Sequence, residues 1–334
     1  MPIKESEALH QSHTVYEYFR SFFLGNSDAV KKRLEMLCKL PVDQAEDVGA
    51  LVDHVLRDFE DEAPYRANAL YWGDDDRRDL AFASDWKLLD GLCELLVSIQ
   101  ESSGVVRVQE AMLAEKERAF GVKSKEAGAA LFNLGCAYMG LGDYAKQRDV
   151  LERALPIYER EHGSDSAKVA GLLNNLGSAY CRLGDYAKQR EFLERALPIF
   201  EREQGKESTN VAVVLGNLGI AYYSLGDYAK ARDLQERALA IKERAYGRDH
   251  AQVAITLNNL GLAYAELGDH AKERDMLERA LAIGERAYGR DHVELASTLW
   301  NLYEANRALG DTVKQREMLE RALAVSYTHL TLPT

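Results

Sequence analysis

Proline and cysteine are both scarce in this sequence, six and four among 334 residues. With 46% hydrophobic residues there is enough apolar material for a large core, so wholesale disorder is excluded. Cys38, Cys93, Cys136 and Cys181 form no Cys-x-x-Cys pair, and no histidine stands at ligand spacing from any of them. A disulfide framework and a zinc site are thereby excluded, and the four read as free thiols in a reducing compartment. An excess of basic residues is also missing. The net charge is −12, which argues against sequence-independent binding to nucleic acid or to an anionic membrane. No run is apolar enough to span a bilayer: the best stretch, Val211 to Gly226, is broken by Asn217 and Ser224. Met1 to Arg20 carries charge throughout and lacks the apolar centre of a signal peptide, so a cytoplasmic protein is expected.

Catalytic signatures are missing as well. The chain has no His-Glu-x-x-His, no Gly-x-Ser-x-Gly, no phosphate-binding Gly-x-x-x-x-Gly-Lys and no dinucleotide glycine fingerprint. The expectation is a protein that is not an enzyme and needs no metal or cofactor.

What the sequence does have is repetition. Leu131–Tyr138 (LFNLGCAY), Leu173–Tyr180 (LNNLGSAY), Leu215–Tyr222 (LGNLGIAY) and Leu257–Tyr264 (LNNLGLAY) recur every 42 residues. A degraded fifth copy starts at Leu299, and an older one occupies 89–130. Each copy reads as two helices. Leu173, Leu176, Gly177 and Tyr180 form one helical stripe, and Tyr186, Leu193, Ala196, Leu197 and Phe200 form another. Between them Gly184 supplies the left-handed stop and Asp185 the cap of the second helix. After the second helix, Gly247 and Gly289 act as stops, with Asp249 and Asp291 as the expected next caps.

Gly135, Gly177, Gly219 and Gly261 recur inside the first helix, where glycine costs about 1 kcal/mol relative to alanine. Repetition at that cost points to close backbone approach, expected against Ala154, Ala196, Ala238 and Ala280 of the facing helix. Because one pair cannot bury its own apolar faces, the pairs must stack. The fold class expected is all-α, a right-handed superhelical solenoid of antiparallel helix pairs over 89–325, preceded by an N-terminal helical cap over 1–88.

Leu-x-x-Leu-Gly-x-x-Tyr, then Leu-Gly-Asp-Tyr, then Ala-Leu resembles the tetratricopeptide repeat, in the lengthened 42-residue form of kinesin light chains. Two departures stand out. The small residue usual early in the second helix appears only as Ala231, against Gln147, Gln189, Glu273 and Gln315, and Tyr303 replaces the packing glycine of the last copy. The resemblance implies a concave groove lined by first helices that holds peptide or helical segments of partner proteins. Carried over by position, the groove would contain Asn133, Asn175, Asn217, Asn259 and Asn301, with Asn174, Asn258, Phe132, Tyr223 and Trp300 beside them. An amide both donates and accepts, so this ladder suits a peptide backbone, with the aromatics as anchors. The alternative is that these asparagines bond to backbone groups of the adjacent copy and hold the repeat spacing. The family's clamp for carboxylate tails needs Lys or Arg where this chain has Phe132, Asn174, Gly216 and Asn258, so that mode is not expected.

Pro156 and Pro198 fall inside second helices where later copies have alanine, and should kink them. The Glu-Arg runs of those helices read as solvated outer faces with i,i+4 pairing. Residues 1–88 carry 18 acidic against 11 basic residues and show no sustained heptads, unlike a coiled-coil stalk. The final stretch 326–334 breaks the period and resembles a translated sequencing-library adapter, a non-native tail that would leave further repeats missing. Without a polar cap, Leu319 and Leu323 would stay exposed and offer a surface for self-association. The reading that follows is a non-catalytic interaction scaffold or adaptor; the alternative is a regulatory or sensor fragment of a larger signalling protein.

Overall fold

A computed structural model describes Cys93 and residues 102–331, with side chains through Val325. The cap expected over 1–88, and Cys38 with it, lies outside the described residues. Among the described residues there are eleven α-helices and no strand: α1 Ser102–Phe120, α2 Lys125–Leu141, α3 Tyr144–His162, α4 Ala167–Arg182, α5 Tyr186–Gln204, α6 Thr209–Ser224, α7 Tyr228–Tyr246, α8 Ala251–Glu266, α9 His270–Tyr288, α10 Ala296–Ala308 and α11 Thr312–Thr331. A single 3-10 turn, Val293–Leu295, precedes α10.

The repeat length follows from the helix lengths. In the second pair a 16-residue helix and a 19-residue helix alternate with short turns, and α6 begins 42 residues after α4. Both turns are closed by glycine at positive φ. Gly184 (φ 79°) ends α4, and Asp185 N–H then donates back to the Tyr180 carbonyl at 3.0 Å. Gly205 (φ 86°) ends α5. Asp185, Asp227 and Asp269 cap the second helices, each carboxylate accepting from the backbone N–H three residues on.

The caps of the first helices correct the expectation for Asp249 and Asp291. Ser124, Ser166 and Ser208 cap α2, α4 and α6, and in register with them His250 caps α8 and His292 caps the 3-10 turn. Each imidazole accepts through Nδ1, from Gln252 N–H at 3.2 Å and Glu294 N–H at 3.3 Å. Each also stacks on the last tyrosine of the preceding helix, Tyr246 or Tyr288. Ring stacking holds a cap that serine makes through its shorter hydroxyl, and Asp249 is left free to pair with Arg286 at 3.0 Å.

The chain divides into two compact units, Met1–Ile157 and Tyr158–Thr334. Within the first, α1 packs on α2. Within the second, each helix from α4 to α11 packs on the next, and the first helices α4, α6, α8 and α10 also touch in succession. The first helices thus form one layer and the second helices the other.

Close approach within a pair is real, but its partner is not the alanine expected. A Cβ on Gly135 would lie 2.6 Å from Leu151 Cδ2, and one on Gly177 or Gly261 would lie 2.9 Å from Leu193 or Leu277 Cγ. The leucine of the second helix is the knob and the glycine is the hole. Ala196, Ala238 and Ala280 are buried elsewhere on the same interface.

The outer face also differs from i,i+4 pairing. Arg195 reaches back 36 residues to Glu159 at 2.7 Å, and Arg153–Glu117, Arg237–Glu201, Arg279–Glu243 and Arg321–Glu285 repeat that step. Consecutive second helices lie side by side, so the partner one stack away is nearer than one along the helix. Each exposed pair contributes at most about 1 kcal/mol.

The last pair is looser. Tyr303 stands where the other pairs have glycine, α10 is only 13 residues long, and Leu295 fills the space that Gly284 opens on α9. Leu319 is half-buried and Leu323 is exposed. The last helix runs on to Thr331, inside the stretch whose sequence leaves the period.

Both prolines sit inside unbroken 19-residue helices of the same length as α7 and α9. Pro198 is exposed and still deprives Glu194 of a helical donor. Pro198→Ala, the residue that α7 carries as Ala240, should therefore raise stability by about 1–3 kcal/mol, read as a higher urea midpoint at unchanged m.

Candidate functional site

In the second unit the first helices touch in succession, and Asn174, Asn258 and Trp300 recur at one register along them and Asn175, Asn217, Asn259 and Asn301 at the next, with Tyr223 on α6. Asn133 and Phe132 belong to the first unit, where Asn133 is exposed and Phe132 half-buried.

The asparagines divide into two groups. Asn217 Nδ2 donates to Asn174 Oδ1 of the preceding pair at 3.1 Å, and Asn258 Nδ2 donates to Thr298 Oγ1 of the following pair at 2.9 Å. These two tie neighbouring repeats together through side-chain partners and not through the backbone groups expected in the alternative. The backbone is tied by glutamine instead: Gln189 Nε2 donates to the Asn217 carbonyl at 3.0 Å. Asn175, Asn259 and Asn301 are half-buried and make no hydrogen bond to the described residues. Of the aromatics, Tyr223 is half-buried and donates to Glu266 at 3.2 Å; burial, with the Glu266 carboxylate beside it, pushes its pKa up to about 12. Trp300 is 50% exposed and lies 5.2 Å from the Tyr303 ring.

The sequence reasoning missed two apolar members of this face. Val213 and Ile255 precede Asn217 and Asn259 by one turn and are 39% and 52% exposed. Their 42-residue spacing is present in the sequence, but the equivalent positions hold Gly171 and Ser297, so no apolar residue recurs there from copy to copy.

A second omission is chemical. Lys242 of α7 stands where α5 has Phe200, and it is buried with 7% exposure. Its Nζ donates to Thr256 Oγ1 of α8 at 2.9 Å, and no carboxylate pairs with it among the described residues. Burial pushes its pKa down. Beside it Gln235, 1% exposed, stands where α3, α5 and α9 have the leucine knob and α1 has Gln109; its Nε2 donates to the Gly216 carbonyl at 2.9 Å while Oε1 has no partner among the described residues. The signal in sequence was departure from the adjoining copies: leucine to Gln235, Phe200 to Lys242 and asparagine to Gly216, of which glutamine and lysine recur as Gln109 and Lys116 in the older copy.

Other titratable groups have structural explanations. Tyr138, Tyr222 and Tyr264 each donate to a glutamate 28 residues back, Glu110, Glu194 and Glu236, and their phenols are pushed up. Glu273 is buried against His270 Nδ1 at 2.8 Å, and burial raises its carboxyl pKa. Cys136 and Cys181 are free thiols whose pKa burial also raises, the direction opposite to that of a reactive thiolate. No cluster of three or more His, Cys, Asp or Glu among the described residues is arranged to hold a metal, and no described helix is long and apolar enough to cross a membrane.

Comparison with known proteins agrees with this geometry. A family model described as tetratricopeptide repeat matches residues 126–202, 168–244 and 211–286. The solved structure of BtubC (BKLC) from P. vanneervenii is 26% identical, with a TM-score of 0.58 over 69% of this chain and 92% of that one. A putative kinesin light chain of Podosopora anserina with nearly identical TPR-like repeats is 21% identical, with a TM-score of 0.52 over 61% of this chain and 97% of that one. RapI in its apo form is similar in fold at 15% identity, with a TM-score of 0.54 over 73% and 98%. No curated protein matches.

The buried ammonium makes a pH-dependent prediction. A lysine held below its ordinary 10.5 binds fewer protons folded than unfolded between the two values, so stability rises with pH across that interval. Lys242→Met removes the desolvated charge. The variant should melt higher than the parent at pH 7, by about 1 kcal/mol or more, with the gap closing as pH approaches 10.5.

Proposed function

The repeat segment of this chain belongs to the tetratricopeptide-repeat family, and from that premise we propose a non-catalytic scaffold that holds an extended peptide segment of a partner protein against its first helices. One observation carries the reading. Asn175, Asn259 and Asn301 keep amides without a partner among the described residues, on the same helices' face that exposes Val213, Ile255 and Trp300. An amide in mid-helix has a poor propensity and earns its place here only through a contact the folded chain does not supply. A peptide backbone offers donors and acceptors to such amides, and apolar side chains of the peptide cover the exposed valine, isoleucine and indole. The division among the asparagines assigns separate duties: Asn217 and Asn258 space the repeats, and the other three meet the partner.

Selection of a displayed-peptide library on the full chain tests this. A shared motif should emerge, and Asn175→Ala with Asn259→Ala should weaken its binding at least tenfold with little change in melting temperature. Asn217→Ala should instead cost about 1 kcal/mol of stability. A well-folded chain that enriches no motif, or a double variant that binds as well as the parent, would overturn the reading.

A further inference from the structure

We propose that the third helix pair carries a carboxylate-binding socket, with Lys242 as its cation, which takes an aspartate or glutamate side chain of a partner lying on the first-helix face. Three residues by which the third pair differs from the pairs on either side of it converge on one place. Gly216 occupies the register at which Trp300 of α10 stands half-exposed on that face, and it offers no side chain there. A Cβ built on Gly216 would meet nothing closer than Gln235 Oε1 at 3.9 Å and Lys242 Nζ at 4.0 Å. The space above the glycine is therefore bounded by a buried ammonium and a buried, unpartnered amide oxygen.

The donor count argues for a ligand. An ammonium has three hydrogens, and Lys242 uses one, on the Thr256 hydroxyl. Thr256 passes its own hydrogen to the Gln252 carbonyl at 3.2 Å, so it serves Lys242 as an acceptor. At the lysine register α3, α5 and α9 carry Tyr158, Phe200 and Gly284, and at the glutamine register they carry leucine, which bear no such cost; α1 of the older copy carries Lys116 and Gln109 at the two registers. A buried cation without a counter-charge is unfavourable, and a carboxylate cancels it. A polyanion such as phosphate would set more charge against the bare Gln235 oxygen than one ammonium offsets. Gly216 and Lys242 are both buried, so only a small terminal group fits against the ammonium. The cation comes from a second helix, under a glycine, which is why a search of first-helix positions for Lys or Arg does not find it.

That a partner peptide supplies the carboxylate rests on the groove reading above; the socket itself is tested without any peptide. The full chain is labelled with 13Cε-lysine, the Lys242 signal is assigned by its loss in Lys242→Met, and sodium acetate is titrated against sodium chloride at equal ionic strength. Acetate should shift the Lys242 signal saturably and acetamide should not. Gly216→Ala, whose methyl fits at ordinary contact distance, should stay folded and weaken the acetate response at least tenfold. An acetate shift no larger than that of chloride, an equal response to acetamide, or a full response in Gly216→Ala would overturn the socket. Peptide selection could fail while acetate binds, and the reverse, so the two readings fall separately.

Discussion

Everything in this molecule rests on how closely two helices of a pair approach. At Gly135, Gly177 and Gly261 the leucine of the second helix occupies the volume a Cβ would need, at separations below 3 Å. Glycine there loses about 1 kcal/mol of helix propensity, and the buried leucine returns about 1.5–3 kcal/mol through removal of apolar surface from water. That exchange sets the spacing within the pair. The spacing in turn lets Gln189 and the asparagine pairs reach the neighbouring repeat, and places the first helices in one layer.

The third pair shows what happens when the knob changes. Gln235 replaces leucine, yet its chain lies just as close to Gly219, with Nε2 2.5 Å from where a Cβ would stand. Packing is kept while the chemistry turns polar: the amide must find an acceptor, which Gly216 provides, and its other end is left bare. Lys242 adds a desolvated charge in the same space. A repeat array tolerates such a locus because each pair contacts mainly its neighbours, so a local cost in one pair is carried by the stability of the rest.

Much of the fold was legible because repetition makes the sequence its own control. Helix lengths, glycine stops, aspartate caps and the glycine hole could be read from four aligned copies. The histidine caps were readable too, since His250 and His292 fall in register with Ser124, Ser166 and Ser208, but imidazole is an unusual capping group and aspartate next to it a common one. The facing partner of the glycines was not readable. Leu151 and Ala154 are both apolar and recurrent, and which of them points at the glycine depends on the rotation of one helix against the other.

The candidate site divides along the same line. That Asn133, Asn175, Asn217, Asn259 and Asn301 occupy equivalent positions is a property of the 42-residue period, and the period alone determined it. Which amides are used up between repeats was decided by tertiary structure: Asn217 meets Asn174 of the preceding helix, Asn259 has Gly216 at the corresponding place, and Asn258, which stands there for Asn301, donates to Thr298 instead. The same holds for the cation. Sequence placed Lys242 on the second helix, where side chains face the core, and only the stacking of α6, α7 and α8 brings its ammonium beneath Gly216 and against Thr256. Periodicity is local and survives in one dimension; the convergence of three helices on one point does not.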